Sequence, residues 1–379
     1  MANTVAERLA DFVCDQRRNG LPERVLHQAK RLLLNQLKAS AAAALQPAGV
    51  ALLAQAAQAR QADRKPALAR LWWTDMLAPP AQAAAVNAQL LGMLDFGDTH
   101  LPSLGQVTAA IVPPLLAQAE AGAHAGRDLL QALALGLEVG LACAEVEGGG
   151  SRSLGAVVAC GTLLGMDRTA LSTALAGVGA ASGLAIDGLG GRWRLQDIAL
   201  HCRPLPVQAL APVDAVLALR PLALGREPRL MQLALSPQAW RLLQTQAPAA
   251  ADGLCRDLAA AWLLGQFTTD EREPSCRDSP AVRALAARIE LLPGGGGDGG
   301  IEACSLTAHF EEGASEHVRI DAFLGSAAQP LSDSQLSELF RSAADDLVLP
   351  RRSGEILHAL WGLDLAPDSR ALLGLLRRA

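Results

Sequence analysis

The chain has 379 residues, half of them hydrophobic, so it can bury a sizeable core and divide into two domains without covalent staples. Its formal charge of -5 leaves no basic face for a polyphosphate, which argues against nucleic acid as a partner but not against a small anionic ligand. Seven cysteines, an odd number, form no CxxC pair and no Cys/His metal spacing, so we expect a reducing, cytoplasmic setting and no metal site.

The first segment reads as helix from Thr4. Thr4 and Glu7 make a capping box, Val5, Leu9, Phe12 and Val13 share a face, and Gly20 follows the end. Glu7 and Asp11 fall where a signal peptide would be apolar, so secretion is not expected. Pro22 opens a second helix with Leu26, Leu33, Leu34 and Leu37 on one face. Further helices are expected at about 50–62, 80–94, 107–121, 126–145, 153–165 and 168–184. Several are apolar on all sides, which implies more than one layer of helices and suggests that some apolar surface is buried between subunits. The uncharged run from Thr169 to Ile186 is mostly small residues, too weak for a membrane span, and is expected as a buried helix. No segment repeats at a fixed period, so a solenoid is disfavoured.

After Arg203 the pattern changes. "ARIELL", "ACSLTAHF" and "HVRIDAFL" alternate as strands, and Leu210 to Leu219, Asp252 to Leu264 and Ser279 to Ala287 read as helices among them. This predicts an α+β unit with a short antiparallel sheet over 203–330, and an all-α domain made of 1–202 and 331–379. "PGGGGDGG" at 293–300 lacks the Lys-Ser/Thr of a phosphate loop and reads as a loop. From Ser332, which caps toward Gln335, the pattern is helical again.

The stretch "GMLDFGDTH", ending at His100, resembles the "HALDFDDTH" signature of the MmgE/PrpD family, which includes 2-methylcitrate dehydratase, cis-aconitate decarboxylase and iminodisuccinate epimerase. Similar runs are "LADFVCD…LPERVLHQAKRLLLNQL", "AVNAQL", "GRDLLQALALGLEVG", "ACGTLLGMDRTALSTALAG", "RPLPVQALAPVDAVLAL" and "QPLSDSQLSELFRSAADD", which together cover most of the chain. The resemblance implies a mainly α fold, a large helical domain plus a smaller α+β lid with the site in the cleft between them. It also implies a homodimer that needs no metal or organic cofactor, with neither nucleic acid nor membrane as partner. The segment from about 190 to 203 is short beside the family pattern.

The family's chemistry is proton abstraction beside a carboxylate, followed by elimination or reprotonation. This needs a base, an acid and cations that hold carboxylates. Asp95 and Thr99 match the family's functional aspartate and threonine; Asp98 matches too, and Gly97 stands where the family has another aspartate. The histidine of "HPS" falls at Gln106, and that before "TAT" near Val146 or Glu147. The two lysines correspond to Arg194 and Arg203, and the lid tyrosine would lie near Asp257 in a chain that has no tyrosine. Arginine grips a carboxylate with a planar fork but does not exchange protons at neutral pH.

The resemblance therefore implies Asp95 as base, Thr99 as orienting group and His100 as acid. Asp98, Gln106, Arg194 and Arg203 would bind a small di- or tricarboxylate, in a site stripped of most proton-exchanging groups. The alternative is an inactive paralogue that binds a carboxylate or pairs with an active relative. Other readings stay open for single residues: Asp95 and Asp98 as caps, His100 as a loop residue, Arg194 and Arg203 paired with acidic neighbours such as Asp197, and Cys202 as a buried thiol. The Trp72–Trp73 pair and His201 read as packing.

Overall fold

The structure, a computed structural model, describes residues 4–58, 68–146, 151–179, 184, 186–270, 272–294 and 299–378. The chain runs through α1 (Val5–Asn19), α2 (Glu23–Leu45), α3 (Pro47–Gln58), β1 (Ala69–Arg70), β2 (Leu77–Ala78), α4 (Pro80–Leu91) and β3 (Asp98–His100). It continues with α5 (Thr108–Ala121), α6 (Gly126–Ala144), α7 (Ser151–Leu163), α8 (Arg168–Gly177), β4 (Ile198–Leu200) and α9 (Val207–Leu219). Next come β5 (Leu230–Leu235), α10 (Pro237–Thr245), α11 (Ala249–Leu264), α12 (Pro274–Arg277), α13 (Pro280–Ala286), β6 (Ile289–Pro293), β7 (Cys304–His309) and β8 (Ser315–Ile320). The last helices are α14 (Asp333–Ala344), α15 (Pro350–Trp361) and α16 (Arg370–Leu373). The fold is mostly helical, and contacts divide it into two compact units, Met1–Leu200 with Ser332–Ala379, and His201–Leu331.

In the first unit the expected capping boxes close α1, with Thr4 and Glu7, and α14, with Ser332 and Gln335. Gly20 takes φ 76°, a left-handed value that glycine adopts without a Cβ penalty, and its amide bonds back to Gln16. Helix α2 lies deep, packed on α14, α6, α4 and α3, and buries Leu26, Leu33, Leu34 and Leu37 together with Lys30, Asn35, Gln36, Lys38 and Ser40. Helix α6 is buried on nearly every side against α7, α2 and α5. The all-round apolar pattern of α6 matches its packing within the first unit.

Small residues let α6 and α7 approach closely. A Cβ added at Gly155 would stand 2.8 Å from the Gly136 carbonyl oxygen and 2.7 Å from Ile111 Cδ1, so nothing larger than hydrogen fits.

Two expectations are corrected here. Helix α4 stops at Leu91 rather than Leu94, and residues 93–95 bend toward β3. The uncharged run after Thr169 is not a buried helix: α8 ends at Gly177 and buries only Leu171 and Leu175, because its small side chains cover little area and leave the other face to water. Residues 180–183 and 185 of that run lie outside the described residues, as do 295–298 of the glycine-rich loop. Trp72 and Trp73 are buried, and the Trp73 indole donates to Ser40 Oγ at 2.9 Å.

The second unit is built on a four-stranded sheet in the order β6-β5-β7-β8. Strands β5, β7 and β8 pair antiparallel, whereas β5 and β6 are parallel, correcting the expected all-antiparallel sheet. Met231, Leu233 and Leu235 of β5 and Cys304, Leu306 and Ala308 of β7 are buried, the period-two pattern of a sheet with one covered face. Helix α9 packs on β7 and β8. Among the described residues no single helix is long and apolar enough to cross a membrane.

Candidate functional site

The signature ends in strand β3, which pairs antiparallel with β4 in the register Asp98↔Leu200, Thr99↔Ala199 and His100↔Ile198. Polar side chains of α2 fix the segment that leads into it. Asn35 Nδ2 donates to the Gly97 carbonyl at 2.6 Å, Gln36 Nε2 donates to Asp98 Oδ2 at 2.9 Å, and Lys38 Nζ lies 3.8 Å from the centre of the Phe96 ring. A Cβ at Gly97 would meet only the Gln36 amide at ordinary contact distance, so the backbone does not demand glycine there.

Asp98 is buried, and burial lifts its carboxyl from an ordinary 3.8 to about 6, against the opposing pull of the nearby Thr108 hydroxyl, the Gln36 hydrogen bond and the Lys38 charge. Lys38 is itself fully buried. A lysine charge thus acts on Asp98 from α2, while the positions expected to correspond to the family's lysines hold Arg194 and Arg203. Asp95 is half-buried in the bend before β3, and Thr99 is buried within it.

His100 has a side chain with no exposed surface. Its Nδ1 is 2.8 Å from Ser103 Oγ, and its Nε2 has no hydrogen-bond partner and faces Glu145 Oε1 at 3.7 Å. Its backbone amide bonds to the Gly105 carbonyl at 2.9 Å, closing the turn through Leu101–Leu104 in which Leu104 takes φ 54°. Burial lowers the His100 pKa, the Glu145 and Asp197 charges raise it, and the Arg194 charge lowers it.

Arg194 opens a single 3-10 turn, Arg194–Asp197. Its fork is held by two carboxylates of α6 and its cap: Nη1 donates to Glu138 Oε1 at 2.9 Å and Nε to Glu145 Oε2 at 3.0 Å. Asp197, expected as its partner, pairs instead with Arg192 at 2.5 Å. Glu138 is fully buried and also accepts the backbone amides of Gly190 at 3.2 Å and Arg194 at 2.8 Å, so one carboxylate anchors the whole approach to β4. Burial pushes the Glu138 pKa up against these bonds.

Arg203 belongs to the second unit and pairs there with Asp214, while a further bond joins it to Cys202 Sγ at 3.3 Å. The Cys202 thiol donates to the Leu324 carbonyl at 3.3 Å and is half-buried. Gln106 is exposed, Val146 is half-buried, and Glu147 lies outside the described residues. Asp257 is buried in α11 beside Arg277, 2.8 Å away. In the first unit the structure thus gathers Asp98 with α2, and His100 with Ser103, Glu145 and Arg194. Among the described residues no three His, Cys, Asp or Glu side chains gather as a metal site.

Sequence reasoning passed over Ser103, Glu138, Glu145 and Lys38. Glu138 did leave a signal: it is the one charged residue in "ALALGLEVGLACA", and a buried carboxylate there requires a cation or several donors. Residues 7–186 match the model of the MmgE/PrpD N-terminal domain. No curated protein matches the chain.

Proposed function

Because the chain belongs to the MmgE/PrpD family, we propose that it is a lyase or isomerase with a remodelled site, acting on a small di- or tricarboxylate by proton transfer. Proton transfer is assigned to His100, with Asp95 as base and Thr99 orienting. The carrying observation is the His100 environment: one ring nitrogen is held by Ser103 and the other faces Glu145, an arrangement that lets the imidazole gain and lose a proton in place. The same reading makes the protein a cytoplasmic homodimer without metal or organic cofactor, with the α+β unit in the role of the family's lid.

The test is deuterium exchange. Citrate, 2-methylcitrate and cis-aconitate are incubated with the protein in heavy water and followed by NMR. Loss of a carbon-bound proton, abolished by Asp95→Asn and slowed about 100-fold or more by His100→Gln, supports the reading. Absence of exchange with all three acids removes it.

A specific observation favours the second reading, an inactive paralogue that binds a carboxylate or pairs with an active relative. Arg194 and Arg203 both direct their forks at carboxylates of their own unit, so neither is a ready clamp for a ligand. Calorimetry with citrate separates the cases: binding without exchange leaves the paralogue that binds a carboxylate, and neither binding nor exchange leaves the one that pairs with an active relative.

A further inference from the structure

His100 has no exposed side-chain surface, so whatever it does to a ligand must pass through a neighbour. Its neighbours differ in exposure. Glu145 is about a third exposed but is also held by Arg194, whereas Ser103 is half-buried on the turn and bonded to His100 Nδ1. Glu145 has only acceptor oxygens when ionised, so the tautomer that suits it carries the proton on Nε2, and Nδ1 is then an acceptor. The Ser103 hydroxyl accordingly donates to Nδ1 while its oxygen accepts the Gly105 amide at 3.3 Å. A serine donating to an imidazole whose far nitrogen faces a carboxylate is the arrangement of an activated nucleophile. The turn that carries it includes Leu104 in the left-handed region, a conformation held against its own cost.

We propose that Ser103, His100 and Glu145 form a nucleophilic triad in which Ser103 is the group that meets the ligand, and that the site takes activated acyl or phosphonyl esters. This rests on reading His100 as the acid–base group, and adds a covalent activity to it. In the acyl step Ser103 Oγ forms a bond to the carbonyl carbon, its proton passes to His100 Nδ1, and the alcohol leaves with that proton as the carbon–oxygen ester bond breaks. Water then attacks the acyl-serine by the same route, releasing the acid and restoring the hydroxyl. Glu145 is a positioning residue: its charge, 3.7 Å from Nε2, favours a proton on that nitrogen and stabilises the imidazolium. The other charged groups facing His100 are Asp197 and Arg194, of opposite sign.

The experiment is covalent labelling of the full chain with an alkyl fluorophosphonate, in which the phosphorus–fluorine bond breaks, fluoride leaves and the serine proton goes to His100. Intact mass and peptide mapping are expected to show one phosphonyl group on Ser103, none at that peptide in Ser103→Ala, and labelling about 100-fold slower in His100→Gln. The labelling rate should rise with pH as the imidazole deprotonates, and Glu145→Gln should move that midpoint to lower pH, a shift that a merely structural glutamate would not produce. An unlabelled Ser103 in the wild-type protein, a rate indifferent to His100→Gln, or a midpoint unmoved by Glu145→Gln overturns the triad. Labelling of Ser103 without carboxylate deuterium exchange would sink only the lyase reading, and exchange without labelling would sink only this one.

Discussion

Asp98 and His100 are two residues apart on one three-residue strand, yet their surroundings have opposite characters. Asp98 meets Gln36, Thr108 and Lys38, all of them buried, so its charge is held inside the helical unit with no exposed partner. His100 meets Ser103 and Glu145, which keep part of their surface in water. The signature therefore joins two settings. Its Asp98 ties α2 to the strand, and its imidazole meets side chains that are only partly buried. The residues that make the difference come from outside the motif, from α2 on one side and from the C-terminal end of α6 on the other.

Breaking the anchor that both ends share should have the largest effect. Glu138→Ala would leave Arg194 with one carboxylate and strip the amides of Gly190 and Arg194 of their acceptor, and removal of one member of a buried pair costs about 3–5 kcal/mol. Urea unfolding measures it. A loss below about 1 kcal/mol would mean that β4 is held by other means and that Glu138 is not the support shared by the two ends of β3.

Asp98→Asn tests the inner end. The Asp98 carboxyl binds its proton more tightly in the folded chain, with a pKa of about 6 against an ordinary 3.8. Its contribution to stability is therefore full below about pH 3.8 and is lost as pH rises through about 6. At about 1.4 kcal/mol for each pKa unit the loss is about 3 kcal/mol, so the asparagine variant should be the more stable of the two above pH 7 and should lack this part of the pH dependence. Equal slopes for the two proteins between pH 4 and pH 7.5 would show that Lys38 and the hydrogen bonds fully compensate the burial.

The helix packing beneath both ends is the next in size. Gly155→Ala places a methyl group against the Gly136 carbonyl and Ile111, and overpacking of this kind costs about 1–3 kcal/mol. A neutral result would show that α6 and α7 can separate without disturbing Glu138 or Glu145.

How much of this was legible in the sequence depends on whether a residue's partner was near it in the chain. The capping boxes at Thr4 and Ser332 involve neighbours three residues apart, and both were readable. Helices α4 to α7 followed from period and punctuation to within a few residues. Strand β5 was missed because Leu230 and Ala234 sit on the parity opposite the buried Met231, Leu233 and Leu235, leaving Gln232 alone to mark the alternation that its burial in fact follows. The site was legible only as a motif. Asp95, Asp98, Thr99 and His100 stood out because they cluster, but the partners that decide their chemistry lie far off in the chain: Gln36 is 62 residues from Asp98, and Glu138 is 56 from Arg194. In α2 a polar residue at a helical spacing otherwise occupied by leucine reads as an interruption of the apolar face. Only the fold reveals that Asn35, Gln36 and Lys38 are there to receive the signature.

The smallest expected effect on stability belongs to the outer end, and it separates that end from the inner one most cleanly. Glu145 is about a third exposed, so its pairing with Arg194 is screened by water, and Glu145→Gln should change unfolding free energy by no more than about 1 kcal/mol. Its effect on His100 should nevertheless be visible. Burial holds the His100 pKa below its ordinary 6.5, and the Glu145 charge is the largest force in the other direction. With glutamine in its place the pKa should fall further, and the imidazole should stay neutral to a lower pH. The sign for stability follows: a histidine whose folded pKa is depressed destabilises the fold as pH drops below about 6.5, where the unfolded chain takes up the proton first. The variant should therefore lose stability on acidification somewhat faster than the wild type, while staying within about 1 kcal/mol of it at pH 8. Two-dimensional NMR of the ring protons reads the titration directly, and a His100 midpoint that is unmoved in Glu145→Gln would show that the two side chains are neighbours without being coupled.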